Sequence, residues 1–287
     1  MFSVELDIYS GRRNPSWVLD AVEGSELIER LRAEPALIAA VDDPSLGLGY
    51  RGYIVSALAD GGRWQRAGLP PRFRLIAKGG VDVEASASWL LGTREMELGE
   101  STERAAQDAI ARSASAGAAS EGDPPIARPS APPGSCPRTY FASDTDFSFW
   151  NDSTQSFNNC YNFAANNRNN TFAQPGRLNG FTISSLSCGN VTTGVNLDGW
   201  RTTCATTPWN NLVVALVIAP GIDFHFYRRC ASGHWCHKPG PSPATNRDNG
   251  GNWITNPQTA NRGPYTDFCG YFMGRVGLES DLAMPVA

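Results

Sequence analysis

The chain has 287 residues, of which 41% are hydrophobic and 18% charged, with a formal net charge of −4 and a pI near 5.5. That is enough apolar material for one large core or two smaller ones, and the missing basic surplus argues against a nucleic-acid partner. The longest apolar run, residues 212–219, falls far short of the roughly 18 to 20 residues of a membrane helix, so no membrane span is expected. The first residues, Met-Phe-Ser-Val-Glu-Leu-Asp, are acidic where a secretory signal is basic and then apolar, so no signal peptide is expected either.

Composition changes along the chain. Residues 1–120 hold 13 Lys+Arg, 17 Asp+Glu, one Asn and no Cys, whereas residues 121–287 hold 11 Lys+Arg, 11 Asp+Glu, 18 Asn and all seven Cys. Between them, residues 113–134 are almost all Ala, Ser, Gly and Pro, too poor in bulky apolar groups to offset the entropy of ordering. The expected organisation is an N-terminal α+β domain over 1–115, a flexible Pro/Ala/Ser linker over 116–135 and a Cys-rich α+β domain over 136–287.

In the first domain, Phe2, Val4, Leu6 and Ile8 alternate with polar residues, the period of a half-buried strand, and residues 11–15 turn the chain. Ser25 is the expected cap of a helix over 26–34, closed by Pro35. Strands are expected over 52–58, 73–78 and 81–85, and helical turns over 86–91 and 100–114. Arg12, Arg13, Asn14, Arg51 and Tyr53 read as solvated turn residues rather than a recognition loop. No catalytic grouping is visible here, and the roles open to this domain are attachment to a surface, recognition by an export system, or binding to the second domain itself.

Seven cysteines in the second part suggest an oxidising, extracytoplasmic setting, with three disulfides and one remaining thiol. The simplest pairing by position is Cys230 with Cys236, Cys188 with Cys204, and Cys136 with Cys269, which leaves Cys160. Polar residues before Cys160 and apolar ones after it (Tyr161, Phe163, Ala164, Ala165) predict a helix that starts at the cysteine. A thiol at a helix N-terminus feels the positive end of the dipole and favours thiolate, the nucleophilic form. Downstream, the apolar run 212–218 and the alternating segment 222–228 predict a hairpin around Pro220-Gly221, with a third strand following residues 230–233. All three histidines, His225, His234 and His237, fall on this part of the chain, twelve residues separating His225 from His237.

Cys160-Tyr-Asn-Phe-Ala resembles the Cys-Trp-x-Phe-Ala start of the nucleophile helix of the papain-like cysteine hydrolases. The order of Cys, His on a strand and a second His about a dozen residues later is similar to the NlpC/P60 branch. The resemblance implies a helix packed on an antiparallel sheet and a thiol hydrolase, a cysteine peptidase or amidase cleaving a peptide or the peptide part of peptidoglycan. Cys160 would be nucleophile, His225 its base and His237 the group that orients His225. Oxyanion donors would come from the Cys160 backbone N–H and Gln155, five residues upstream, in competition with Asn158 and Asn159. Asp248 and Asn246 are alternatives to His237, and Asp223 could tune His225, although it reads first as a strand-end turn residue. No metal or organic cofactor is implied.

Two other readings use the same residues. Cys230, His234, Cys236 and His237 contain the ligand types of a structural zinc site, although adjacent strand residues face opposite sides. A disulfide-stapled secreted binding module, with Trp150, Trp200, Trp209, Trp235 and Trp253 and the many asparagines lining a carbohydrate or protein surface, is the alternative to catalysis.

Overall fold

A computed structural model of the chain describes residues 1–43, 46–58, 63–76, 83–115, 147–202, 211–230 and 234–275. The chain forms two compact units, the first comprising Met1–Ile8, Asn14–Asp42 and Tyr50–Asp123, the second Tyr9–Arg13, Asp43–Gly49 and Pro124–Ala287. The Cys-rich part thus takes in two short segments from the first fifth of the chain. The expected linker, 116–135, lies outside the described residues.

Unit one is a five-stranded antiparallel sheet in the order β2-β1-β4-β5-β3, made of β1 (Phe2–Leu6), β2 (Ser16–Val18), β3 (Ile38–Ala39), β4 (Tyr53–Ala57) and β5 (Arg72–Leu75). Phe2, Val4 and Leu6 are buried while Ser3 and Glu5 are half-buried, the alternation the sequence shows. Helix α1 (Ala21–Ala33) buries Leu27, Ile28 and Leu31 and is capped by Asp20 in a reciprocal box with Glu23. Ser25 is not the cap: it sits inside the helix and its hydroxyl donates to the Ala21 carbonyl at 2.8 Å. The short α2 (Arg63–Arg66), α3 (Val83–Gly92) and α4 (Glu100–Ser115) complete the unit. The strand expected over 81–85 is replaced from residue 83 by α3, because Ala87, Leu90 and Leu91, all buried, repeat at helical spacing and override the two valines.

Arg51 and Tyr53 are not solvated. Tyr53 is buried, and Arg51 and Arg74 each bond the buried Asp7 carboxylate at 2.6 Å. Burial raises the Asp7 pKa, but the two guanidinium groups outweigh it and hold the carboxyl at about 2, against an ordinary 3.8.

Unit two is a four-stranded antiparallel sheet, order β8-β7-β6-β9, formed by β6 (Asn211–Ala219), β7 (Asp223–Arg229), β8 (Trp235–His237) and β9 (Asp267–Arg275). β6 is central and apolar on both faces, which is why it reads as a continuous run. Leu212, Val214, Leu216 and Ile218 join a cluster with α5 (Cys160–Ala165) and α6 (Cys188–Leu197), and Val213, Ala215, Val217 and Ala219 join Tyr227, Trp235, Ile254 and Tyr265. Both units mix helices with antiparallel sheet, the α+β class.

Cys188 is bonded to Cys269, tying α6 to β9, and Cys230 to Cys236, tying the end of β7 to β8. The hairpin bridge is as expected. The pairs Cys188–Cys204 and Cys136–Cys269 are corrected: Cys188 opens a helix that packs against β9 rather than flanking a loop, so its partner lies 81 residues away. Cys136 and Cys204 lie outside the described residues.

Candidate functional site

Cys160 opens α5 as expected, and the helix begins there because Asn159 accepts from the Tyr161 and Asn162 backbone N–H groups while the Asn162 side chain reciprocates. α5 has only six residues and is wholly buried, Cys160 included. The Cys160 thiol points to the Phe224 carbonyl at 3.9 Å and shares a core cluster with the Phe224 and Phe226 rings. Its pKa is raised well above the usual thiol range, first by burial and then by the Asp223 carboxylate. The Phe226 N–H and the Lys238 ammonium only partly offset these. The expected activation is therefore reversed: six residues of helix dipole do not outweigh complete desolvation.

His225 lies on β7 between Phe224 and Phe226, so strand alternation turns its ring to the opposite face, where it meets Tyr227 at 4.8 Å and Tyr265 at 5.8 Å between centroids. β8 brings His237 beside it, with His225 Nε2 and His237 Nδ1 2.9 Å apart and His237 Nε2 2.9 Å from the Arg247 carbonyl. The structure thus joins the two histidines and places Cys160 in the cluster on the other side of the strand that carries His225.

The proposed oxyanion and orienting groups are engaged elsewhere. Gln155 donates to the Pro241 carbonyl at 3.1 Å. Asn159 is the helix cap and donates to the carbonyls of Gly11 and Ala173, both at 2.7 Å. Asn158 donates to the Thr154 carbonyl at 3.0 Å and to Asn170 at 2.7 Å. Asp248 organises its own loop, accepting from the backbone N–H groups of Gly250, Asn252 and Asn261. Asn246 uses its carbonyl to receive the Ile254 N–H.

Asp223, weighed in the sequence only as a group that could tune His225, is a buried polar centre of the unit. Its buried carboxylate accepts from the backbone N–H groups of Ser10, Gly11 and Arg12 and from the Tyr265 hydroxyl at 2.6 Å. Burial still raises its pKa, and the Tyr265 and backbone donors only partly counter that. Arg12 adds a bond from Nη1 to the Ile222 carbonyl at 2.7 Å, so Gly11 and Arg12 are held against the start of β7, while Arg13 is exposed as expected. Gly11 is required by this approach, since a Cβ there would lie 2.3 Å from the Phe224 ring. A Ser-Gly-Arg turn far from its acceptor carries no local signal of such a contact.

The zinc reading is corrected, because Cys230 and Cys236 are joined to each other and offer no thiolates. Of the tryptophans assigned to a binding surface, Trp150, Trp200 and Trp235 are core residues, Trp253 is 47% exposed beneath the Arg247 guanidinium, and Trp209 lies outside the described residues. No helix among the described residues is long and apolar enough to cross a membrane.

No family model and no solved structure matches the chain. Over 123 residues it is 45% identical to insoluble matrix shell protein 1 of Ruditapes philippinarum, a match that spans 42% of this chain and 83% of that protein. This relative overturns the thiol-hydrolase reading, since it is named for a place in an insoluble matrix and not for a reaction. The chemistry of the buried, protonated Cys160 is in accord with that correction.

Proposed function

The chain belongs to the family of insoluble matrix shell protein 1, and from that premise we propose that it is a non-catalytic, disulfide-stapled module of an extracellular insoluble matrix. The observation that carries this reading is the 45% identity over most of that relative's length. The two disulfides fit an oxidising exterior. The residues with catalytic potential are spent inside unit two: Asn159 caps a helix, Asp223 gathers the Ser10–Arg12 backbone, and Lys238 donates to the carbonyls of Asn158 and Gly240, both at 2.7 Å. Such a buried polar network fixes one arrangement of the core.

The test is co-sedimentation of the full chain with insoluble matrix, polysaccharide and protein fractions separately, beside the Cys160→Ala variant. Both proteins are expected to sediment to the same extent. A chain that stays in the supernatant with every fraction would overturn the reading, as would loss of retention on removal of one sulfur atom while the fold persists. A companion experiment is limited alkylation of the unreduced protein at mildly acidic pH. Cys160 is expected to label far more slowly than a free thiol peptide, because it is both buried and protonated; labelling as fast as the peptide would contradict the raised pKa.

A further inference from the structure

Three Asn-x-Ser/Thr triplets without an intervening proline occur in the chain, Asn151-Asp152-Ser153, Asn169-Asn170-Thr171 and Asn190-Val191-Thr192, and all lie in unit two. This is the acceptor pattern for N-linked sugar in secreted proteins, and the folded chain must then leave room around the amide for a bulky, solvated group. The fold treats the three asparagines differently. Asn151 is clamped to one backbone position, Nδ2 donating to the Ala244 carbonyl at 3.2 Å and Oδ1 accepting the Ala244 N–H at 2.7 Å. Ala244 is itself buried, so a sugar on Asn151 would displace a packed segment. Asn190 is half-buried in α6 ahead of the buried Val191, with Oδ1 accepting from the Ser184 and Ser185 N–H groups and Nδ2 donating to the Ser184 hydroxyl. Asn169 stands in the loop after α5, where Asn169, Asn170 and Thr171 are all exposed. Its Oδ1 accepts from Asn162 Nδ2 at 2.8 Å, from the Thr171 N–H at 3.3 Å and from the Thr171 hydroxyl at 2.7 Å. The last two form a local turn of the Asx kind, and none of the three bonds uses Nδ2, so replacing one of its two hydrogens leaves them in place.

We propose that Asn169 carries an N-linked glycan. The inference rests on the matrix reading above, which puts the chain on a secretory route, and adds a covalent modification to it. In the transfer, the Asn169 amide nitrogen forms a bond to the anomeric carbon of a sugar carried on a lipid pyrophosphate. The bond from that carbon to the pyrophosphate oxygen breaks, the lipid pyrophosphate leaves, and the nitrogen gives up one proton. Thr171 supplies the hydroxyl that the triplet requires two residues on, and in the folded chain it rests against the acceptor amide.

The test is secretion of the full chain from a eukaryotic cell behind a cleavable leader, followed by enzymatic removal of N-linked sugar in heavy-oxygen water. Peptide mass spectrometry then marks each formerly occupied asparagine as a labelled aspartate. Asn169 is expected to carry the label in most of the secreted, folded protein, and Asn151 and Asn190 in almost none. The mobility shift of the intact protein should be lost in Asn169→Gln and in Thr171→Ala and should persist in Thr171→Ser. Asn169→Gln should still be secreted and should unfold at the same urea concentration as the deglycosylated native chain, which separates loss of the glycan from loss of the fold. An unlabelled Asn169, label spread equally over the three asparagines, or a shift that survives Asn169→Gln would overturn the site. A glycan on Asn169 of a chain that sediments with no matrix fraction would keep the site and remove the matrix reading. A bare Asn169 in a chain that does sediment would remove the site and leave that reading standing.

Discussion

Replacing Asp7 by Asn is expected to destabilise unit one by about 3 to 5 kcal/mol, because it removes the buried carboxylate that both buried guanidinium groups, Arg51 and Arg74, bond. The same group predicts a pH dependence. Its carboxyl is held at about 2 in the folded chain and near 3.8 when unfolded, so its stabilisation is complete above the unfolded value and disappears as pH falls through the folded one. The shift corresponds to about 2 kcal/mol, absent from the Asn variant. Hydrogen exchange of β1 and β4 amides, measured from pH 6 to pH 2, localises the effect to this unit. If the variant and the native chain lose protection in parallel on acidification, Asp7 is not the titrating group.

Removal of the Cys188–Cys269 bond by paired serine substitution is expected to destabilise unit two by about 4 to 5 kcal/mol, since in the chain-entropy account the bond closes a long loop in the unfolded state. Its partners are 81 residues apart, whereas Cys230 and Cys236 are separated by 6, so the same account gives the hairpin bond only about 2 kcal/mol. Urea unfolding followed by a unit-two probe such as Trp200 should rank the two serine pairs in that order. A hairpin-bond variant less stable than the Cys188/Cys269 pair would reject loop closure as the source of the stabilisation.

Local patterns in the chain were good guides wherever one residue type repeats at one period. The alternation of Phe2, Val4 and Leu6, the apolar run of β6 and the polar cap ahead of Cys160 each name an element that is present. Short strands were opaque: β2 and β3 have three and two residues and owe their existence to their neighbours in the sheet. β9 carries Gly270 and Gly274 and is held by its long pairing with β6, so its strand signal is tertiary rather than local. At the candidate site, helix order and histidine spacing were legible, but which side of β7 each side chain occupies was not. Cys160 packs on the side of β7 that carries Phe224 and Phe226, and the His225 ring projects from the opposite side, a one-residue alternation whose facing is set by the register with β6. The thiol's protonation followed from burial, a property of the assembled core, and the Asp223 cradle joins residues more than 200 positions apart.

That cradle has a consequence for the order of events during synthesis. The Ser10 N–H waits for a carboxylate 213 residues further along, and at roughly 5 to 20 residues per second the ribosome takes some 10 to 40 s to deliver it. The edges of unit one can pair well before then, whereas the strap of Tyr9–Arg13 stays unsatisfied until β7 has emerged. Translation speed through the region between the two therefore sets how long the Gly11 turn is exposed, and slow codons placed there would lengthen the interval in which a nascent chain is open to proteases at Arg12 and Arg13.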